Sequence, residues 1–258
     1  MRVDSADRVL RFVLAGAAGR MGRAIEGLAV EDPLLTIVAL VDSHEIEDDR
    51  WRRRLGEVAD PADGVIEFTH AGGLAAIATV CAERGWPLVS GTTSLTEEDH
   101  AGLARAAETI PILQASNLSL GIALMRRCLA SIGREAPEGT ELEILEIHHG
   151  AKRDAPSGTA RTLYETWSQA RGGHAIKKEG RSGLAGPRSP EEVGIHALRL
   201  GEVVGEHRCY LALPGGERLE LAHSVTRRES FARGAFLALR RLVGRPPGFY
   251  SVDEIFLD

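Results

Sequence analysis

Two adjacent histidines and a lysine lie close together in the stretch from Glu146 to Ala160. His148 and His149 are followed by Lys152, with no apolar side chain larger than alanine between them. Imidazole is the side chain best suited to exchange protons near neutral pH, and an ammonium group favours negative charge on a bound molecule. The stretch therefore predicts a proton donor beside a binding site for an anion.

The same stretch also predicts the start of a helix. Pro156 is expected to set φ for a first helical turn, and Ser157 or Thr159 can cap it. Free backbone N–H groups of Gly158 and Thr159 would then bind an anion, which we expect to be a carboxylate. A histidine pair and a Pro-Ser-Gly segment are often purely structural, but their combination in one short stretch favours a functional site.

Composition limits the kind of protein that this chain can be. It has 258 residues, 43% of them hydrophobic and 26% charged, with a formal net charge of −6. These values predict a globular chain of two modest domains, or of one large domain with an inserted part, with neither nucleic acid nor a membrane as its main partner. Cys81, Cys128 and Cys209 have no spacing typical of zinc or of a disulfide framework, so we expect no metal site and a cytoplasmic location. The polar, acidic start, residues 1–8, is unlike a signal peptide and predicts a frayed extension.

The beginning of the chain has the pattern of a dinucleotide-binding fold. An apolar strand, residues 9–15, runs into glycines at 16, 19 and 22, and a helical segment follows from Arg23. Glycines permit a tight turn and bring the backbone close to a pyrophosphate at the helix N-terminus. A second strand, residues 35–41, ends at Asp42, where a carboxylate would accept hydrogen bonds from the adenosine ribose. A plain α/β turn with a chance acidic residue is the alternative.

The identity of residue 42 also bears on the choice of coenzyme. A carboxylate at Asp42 would repel the 2′-phosphate of NADPH, so we expect NADH to be preferred. NADPH remains possible because the arginines of the 50–54 segment are near enough in sequence to fold back towards that phosphate.

Strands and helices continue to alternate up to about residue 118. After a charged stretch that we expect to be helical up to Val58, with Arg52–Arg54 on its solvated face, strands are predicted at 65–69, 87–90 and 110–114. Thr96 is expected to cap one of the helices. This alternation predicts a Rossmann-like, doubly wound parallel sheet. Ligands bind beyond the carboxyl ends of such strands, so Thr69, Gly91 and Thr93 are placed to face the nicotinamide half of a coenzyme.

The rhythm of the sequence changes after Pro137 to that of a smaller α+β domain with an open mixed sheet. The elements expected there are strands at 141–149, 194–200, 203–213 and 218–225, a helix at 158–170, and a glycine-rich basic loop at 172–190. The first strand must end near His148, because successive side chains of a strand face opposite ways. Ser230 is expected to cap a helix at 231–243, and the tail at 250–257 to pack back on the first domain. We expect one domain to comprise 1–118 with 226–258, and the other 119–225.

The stretch from Glu146 to Ala160 resembles the signature E-x-H-H-x-x-K-x-D-A-P-S-G-T-A of the 4-hydroxy-tetrahydrodipicolinate reductase (dihydrodipicolinate reductase) family. Further segments match family segments in family order: Gly16–Arg23, Phe68–Thr69, Gly91–Thr93, Ala115–Ser119 and Val204–His207. The resemblance implies a bacterial-type enzyme of the lysine and diaminopimelate pathway. It also implies a homotetramer joined through the sheets of the second domain.

The resemblance assigns roles to individual residues. His148 matches the proton donor and acceptor, Lys152 a second proton donor, and His149, Gly158 and Thr159 positions that bind the dicarboxylate substrate. The positions that touch the dinucleotide are matched by Gly16, Ala17, Ala18, Gly19, Arg20, Met21, Asp42, Gly91, Thr92, Thr93, Ala115, Ser116, Asn117 and Leu118. The implied reaction is hydride transfer to a conjugated cyclic imine, protonation of the enamine by His148 and Lys152, and domain closure around the ligand.

The sequence departs from the family pattern at three places. Leu118 stands where an aromatic residue is common, and His70 stands where an arginine often follows the Phe-Thr pair. The segment between Asp42 and Val65 is short, which predicts that one strand–helix unit is reduced.

Two other functions compete with this interpretation. One is a different dehydrogenase of amino-acid metabolism, such as an aspartate or homoserine dehydrogenase, which would not need the His-His-x-x-Lys and Pro-Ser-Gly-Thr pairing. The other is a dinucleotide sensor without catalysis, against which the intact His148 and Lys152 argue.

Overall fold

The computed structural model describes residues 8–257, which form two compact units. One unit contains the chain up to Ser119 and from Arg228 onwards, and the other contains Leu120–Arg227. The boundaries expected from the sequence lie one and two residues away from these. The predicted N-terminal extension lies, apart from Arg8, outside the described residues.

The first unit begins with alternating strands and helices. In chain order these are β1 (Leu10–Ala15), α1 (Arg20–Glu31), β2 (Leu35–Val41), β3 (Trp51–Arg52), β4 (Gly64–Glu67), α2 (Leu74–Arg84), β5 (Leu88–Ser90), α3 (Glu97–Ala107) and β6 (Pro111–Gln114). Phe12, Val13 and Leu14 of β1 are fully buried. This is the burial expected of a central parallel strand covered by helices on both faces.

The second unit packs two helices against a five-stranded mixed sheet. Its elements are α4 (Leu120–Glu135), β7 (Glu141–His148), α5 (Gly158–Ala170), β8 (Ile176–Glu179), β9 (Glu192–Arg199), β10 (Gly205–Ala212) and β11 (Arg218–Val225). The strand order is β11-β10-β7-β9-β8. β10 pairs antiparallel with β7 and β11, whereas β9 pairs parallel with β7 and β8. Leu129, Ile144, Leu163 and Trp167 lie in the apolar layer between the helices and the sheet.

The chain then returns to the first unit through α6 (Glu229–Leu242), β12 (Gly248–Tyr250) and α7 (Val252–Phe256). β12 completes a seven-stranded sheet of order β12-β6-β5-β4-β1-β2-β3, in which every pairing is parallel. Ile255 and Phe256 are buried. The expected fold class is therefore confirmed, namely a Rossmann-like parallel sheet with a second, smaller mixed sheet. Among the helices of residues 8–257, none is long and apolar enough to span a bilayer.

The segment between β2 and β4 differs from the expectation of a charged helix. It contains the two-residue strand β3 and a single 3₁₀ turn, Leu55–Glu57. The Trp51 indole N–H donates to the carbonyl oxygens of Asp42 (3.2 Å) and His44 (3.1 Å), which holds the segment beside β2 as an edge strand. The interpretation of Arg52–Arg54 as a helix face was wrong, and the reduction of this unit was predicted correctly.

Three local expectations in the second half of the chain were also wrong. Pro156 precedes the N-cap residue Ser157 and is not part of the first turn of α5. Ser230 does not cap α6, which begins one residue earlier at Glu229 after an N-cap Arg228 without a side-chain hydrogen bond. The glycine-rich loop contains β8, because its residues 176–179 pair along β9. The Thr96 cap is confirmed, since the Asp99 N–H donates to its hydroxyl at 3.1 Å.

The packing of α6 against the loop after β6 yields a stability test at two helical glycines. A Cβ at Gly234 would lie 1.7 Å from the carbonyl oxygen of Leu118, whereas a Cβ at Gly27 of α1 would meet nothing within 4 Å. We expect Gly234→Ala to lower the free energy of unfolding by about 1–3 kcal/mol through overpacking. Gly27→Ala should raise it by about 0.5–1 kcal/mol through helix propensity. Urea unfolding measures both, and equal effects at the two positions would contradict the packing.

Candidate active site

The glycine turn between β1 and α1 leaves no room for side chains at two positions. Gly16 has a φ of +83°, and a Cβ there would lie 2.3 Å from the carbonyl oxygen of Phe68. A Cβ at Gly22 would lie 2.3 Å from the carbonyl oxygen of Ala17. α1 begins after Gly19 without a side-chain cap, so its first N–H groups have no side chain competing for them. This backbone suits the close approach of a phosphate group.

Asp42 is bonded directly to this turn. Its Oδ2 accepts the N–H of Ala18 at 2.9 Å, and its Oδ1 accepts the N–H of His44 at 2.9 Å. Burial alone would raise the pKa of the Asp42 carboxyl, but the hydrogen bonds from His44 and Ala18 outweigh burial and lower it. The carboxylate is therefore anionic and fixed in orientation at the place expected for a ribose partner.

A cavity of about 970 Å³ opens beside the turn and the end of β2. Of the predicted coenzyme residues, Gly16, Ala18, Gly19 and Asp42 line it, as does Thr69. Its lining also includes the apolar side chains of Leu55, Ile77 and Val80 and three arginines: Arg23, Arg53 and Arg54. A groove with one apolar wall and a fixed carboxylate suits a planar base attached to a sugar.

The remaining predicted coenzyme residues do not line this cavity. Ala17 is buried beneath the turn, while Arg20 and Met21 lie in the first turn of α1. Gly91–Thr93 and Ala115–Leu118 follow β5 and β6, and the Leu118 side chain is buried. Because β1, β4, β5 and β6 are adjacent and parallel, these segments share the carboxyl edge of the sheet with the glycine turn.

The sequence interpretation overlooked Glu67, a fully buried carboxylate at the end of β4. Its Oε1 accepts hydrogen bonds from the hydroxyls of Thr69 (2.5 Å) and Thr92 (2.7 Å) and from the Thr69 N–H, and its Oε2 accepts from the Ser90 hydroxyl (2.5 Å). The only signal in the sequence is an acidic residue in an otherwise apolar strand.

His148, the predicted proton donor, lies at the end of β7, where the side chains on one face of the strand change from apolar to polar. Leu142 and Ile144 of β7 are buried in the apolar layer of the second unit, and Glu146 and His148 continue the same face. On β10, His207 stands opposite Glu146 and is 3% exposed. The ring of His207 lies edge-on to that of His148, with centroids 5.2 Å apart. β7 ends at His148, as the sequence predicted.

Glu146 is fully buried and joins three residues of the site through four hydrogen bonds. His148 Nδ1 lies 2.5 Å from Oε2, and Arg199 donates from Nη1 to Oε2 (2.9 Å) and from Nη2 to Oε1 (3.0 Å). The N–H of Ser157 donates to Oε1 at 3.0 Å. Burial alone would raise the pKa of Glu146, but the hydrogen bonds and charges of His148 and Arg199 lower it to about 2. The roles of Glu146, Arg199 and His207 were not predicted from the sequence.

The N-terminus of α5 lies beside this carboxylate, because its N-cap residue, Ser157, donates its N–H to Glu146. Ser157 caps the helix by accepting the N–H of Ala160 at 3.1 Å, and its Oγ lies 3.1 Å from Nε2 of His207. Burial, reinforced by the charge of His148, lowers the pKa of His207 to about 3, so this imidazole is neutral at neutral pH. Gly158 and Thr159 form the first turn of the helix.

Lys152 and His149 lie in the loop between β7 and α5. The Lys152 N–H donates to the carbonyl oxygen of His149 at 3.1 Å, so the two residues belong to one turn. The Lys152 ammonium lies 2.8 Å from Asp154, whose side chain is 49% exposed. Burial opposes ionisation of Asp154, but the hydrogen bond and charge of Lys152 lower its pKa. Because Asp154 is exposed to water, this pair is weak, and Lys152 can exchange Asp154 for another anion.

Of the residues from 8 to 257, no three His, Cys, Asp or Glu side chains converge in a way that could hold a metal ion. The three cysteines are free thiols. Burial raises the pKa of Cys209 to about 12, so this thiol is not a nucleophile at neutral pH.

Comparison with known proteins identifies the family. Family models described as dihydrodipicolinate reductase, N-terminus, and dihydrodipicolinate reductase, C-terminus, match residues 10–118 and 121–256. A 4-hydroxy-tetrahydrodipicolinate reductase from Thermomicrobium roseum is 42% identical over 258 residues, covering 96% of this chain and 99% of its own. One from Myxococcus xanthus is 40% identical over 265 residues, covering 96% and 97%.

Solved structures show the same fold. A dipicolinate-bound dihydrodipicolinate reductase from Paenisporosarcina sp. TG-14 aligns with a TM-score of 0.79 and 22% identity, covering 95% of this chain and 98% of that one. A diaminopimelate dehydrogenase from C. glutamicum aligns with a TM-score of 0.55 and 12% identity, covering 95% and 93%. The family's reductant is a nicotinamide dinucleotide. The chain belongs to the 4-hydroxy-tetrahydrodipicolinate reductase family and is an oxidoreductase of the lysine and diaminopimelate pathway.

Proposed function

We propose that this chain reduces 4-hydroxy-tetrahydrodipicolinate to tetrahydrodipicolinate, with loss of the 4-hydroxyl group as water and with His148 and Lys152 as the proton-donating groups. The observation that carries the proposal is the buried Glu146 carboxylate, which is hydrogen-bonded both to His148 and to the N–H of Ser157 at the N-terminus of α5. A proton donor and an anion-binding helix start are thereby fixed relative to each other. That arrangement suits an anionic ring that must be protonated as it is reduced.

The substrate side of the site is proposed to recognise a dicarboxylate. Gly158 and Thr159 present the N–H groups of the first turn of α5, where the helix dipole favours an anion. Lys152 and His149 add donors from the preceding turn, and Lys152 can leave the exposed Asp154 to meet a carboxylate. The related structure from Paenisporosarcina has dipicolinate, a pyridine dicarboxylate, bound. A ligand with two carboxylates fits both sets of donors.

The coenzyme is proposed to bind at the carboxyl edge of the parallel sheet. The glycine turn, Gly16–Met21, suits its phosphates because α1 begins there, after Gly19, with no side-chain cap. Asp42 would accept the ribose hydroxyls, and Gly91–Thr93 and Ala115–Leu118 would border the nicotinamide. When bound, the coenzyme supplies the hydride. The protein binds it, orients it and excludes water.

His148 is proposed to hold its transferable proton on Nε2. Nδ1 lies 2.5 Å from Oε2 of Glu146, so this carboxylate fixes the orientation of the ring and leaves Nε2 for the substrate. Arg199 keeps Glu146 ionised through two hydrogen bonds. Glu146 and Arg199 act through His148 and are therefore positioning residues.

NADH is the proposed coenzyme of choice, with NADPH accepted less well. The fixed negative charge of Asp42 opposes a 2′-phosphate in the cavity. Arg53 and Arg54 line the same cavity and provide some compensation, whereas Arg50 is held by Asp48 and Glu26.

A homotetramer joined through the sheet of the second unit is also proposed. Large apolar side chains on β9, β10, β11 and the turn after β9 are 41–62% exposed: Leu198, Leu200, Tyr210 and Leu219. Exposed apolar groups of this kind are typical of a surface that another copy covers.

Removal of the proton donors provides the first test. We expect His148→Gln and Lys152→Met each to lower kcat about 100-fold or more, the usual contribution of a general acid, with little change in the Kd for NADH. His174→Gln and Lys178→Met, at exposed positions of the same unit, are matched controls that should leave kcat near the parent value. Steady-state kinetics with the cyclic substrate and fluorescence titration with NADH measure both quantities. Parental kcat in both active-site variants would remove the assignment.

The depressed pKa of Glu146 predicts a pH-dependent contribution to stability. A shift from 4.5 to about 2 in the folded protein corresponds to about 3 kcal/mol. Because the folded value is the lower one, this contribution is complete above about pH 4.5 and is lost as the pH falls towards 2. Glu146→Gln should therefore unfold more easily than the parent at pH 7, and the difference should shrink below pH 4.5.

Denaturant unfolding followed by the fluorescence of Trp167, which lies in the core of the second unit, measures this difference. Glu165→Gln, an exposed position on α5, is the control and should leave stability nearly unchanged. A stability difference that is the same at pH 7 and pH 3 would contradict the ionised state of Glu146.

Coenzyme choice provides a third test. The parent should have a higher kcat/KM with NADH than with NADPH, and Asp42→Asn should shift the ratio about tenfold towards NADPH by removing the repulsion. Arg53→Ala and Arg54→Ala should each shift it towards NADH. Arg52→Ala is the control, because that guanidinium donates to the carbonyl oxygens of Asp49 and Trp51. A parent that uses NADPH better would show that the arginines outweigh Asp42.

A further inference from the structure

One buried acid of the first unit has no part in the proton transfer described above. Glu67 ends β4, the strand beside β1, and is 0% exposed. We propose that Glu67 is a positioning residue for the coenzyme, which holds the cavity-lining segment after β4 against the end of β5 and the turn after it, in the geometry that the coenzyme needs. This inference rests on the proposed placement of the coenzyme.

Glu67 receives four hydrogen bonds from two separate segments. The N–H and hydroxyl of Thr69 come from the segment that follows β4, and the hydroxyls of Ser90 and Thr92 come from the end of β5 and the turn after it. A carboxylate without water needs such a set of donors, because an uncompensated buried charge is strongly destabilising. The two segments are therefore locked to each other through one side chain.

The segment after β4 is part of the cavity wall, whereas the turn after β5 supports it from outside the lining. Phe68 and Thr69 line the cavity together with Gly16. The turn at Gly16 is in direct contact with them, since a Cβ there would lie 2.3 Å from the Phe68 carbonyl oxygen and 3.1 Å from the Thr69 nitrogen. A Cβ at Gly91 would lie 2.1 Å from the Phe68 ring. With so little clearance, a shift of the Thr69 segment changes both the glycine turn and the cavity.

Glu67 also fixes the polarity of Thr69. The Thr69 hydroxyl donates its only proton to Oε1 of Glu67, so towards the cavity its oxygen can act only as an acceptor. The lining therefore offers an acceptor at that point, which favours a ligand with an N–H or O–H group there.

The test compares variants that retain or remove these acceptors. Glu67→Gln keeps an oxygen that can occupy the Oε1 position, where three of the four donors meet, whereas Glu67→Leu has a similar size and no acceptor. We expect Glu67→Leu to raise the Kd and KM for NADH about tenfold and Glu67→Gln about twofold, with the KM for the cyclic substrate unchanged. Ser90→Ala removes one donor without touching the cavity and should act in the same direction, which keeps the test open if Glu67→Leu fails to fold.

Asp63 provides the control for a carboxylate that joins distant segments away from the cavity. It accepts the N–H of Arg11 at 2.8 Å, and neither residue lines the cavity. Asp63→Asn should lower the Tm with little change in the Kd for NADH. A purely structural role for Glu67 would lower the Tm in the same way and leave the Kd for NADH at the parental value, which would overturn the inference.

The outcome for the parent chain separates this inference from the proposed function. If the parent binds NADH and neither Glu67 variant nor Ser90→Ala changes the Kd, only the positioning role fails. If the parent binds neither NADH nor NADPH, the coenzyme placement fails and the positioning role fails with it.

Discussion

A carboxylate without contact to water stays ionised only if hydrogen bonds and cations replace the hydration it has lost. Glu146 meets this condition through Arg199, His148 and the N–H of Ser157. Each of these partners belongs to a different part of the site: the proton donor, the neighbouring strand β9 and the cap of α5. Loss of this carboxylate would leave the partly buried Arg199 without its anionic partner and would remove the group that His148 and the cap of α5 share.

The first unit uses the same physical arrangement for a different task. Glu67 and Asp99 are fully buried acids, and each joins segments that are distant in the sequence through backbone N–H groups and hydroxyls. Neither has an arginine among these partners. Neutral donors are sufficient to orient loops, whereas Glu146, beside an imidazole that must exchange protons, is held by a guanidinium. The buried carboxylates that position loops, Glu67 and Asp99, thus have neutral donors, whereas Glu146, which positions the proton donor His148, has an arginine.

The sequence predicted those features that depend on local signals. Strand 35–41 and helix 158–170 were predicted with the bounds that the structure has, because apolar periodicity and a serine cap are encoded within a few residues. β3 and β12 were missed, since strands of two or three residues form only by pairing with a neighbour. Arg199 was missed because its partner Glu146 is 53 residues away along the chain. The cluster of arginines from 52 to 54 was misassigned to a helix because charge pattern alone does not reveal the Trp51 hydrogen bonds.

Buried and exposed groups of the second unit have different tasks, because water screens electrostatic interactions at the surface and not in the interior. Glu146 and Ser157 are buried and held by hydrogen bonds to their neighbours, so their dipoles need no rearrangement when charge develops nearby. Lys152 is paired with an exposed carboxylate, an interaction that water weakens enough for a substrate to replace it. A buried lysine in its place would have to lose either its charge or a strong partner before it could bind an anion. The site therefore requires a rigid interior that sets orientation and a cation that can change partners because its own partner is exposed.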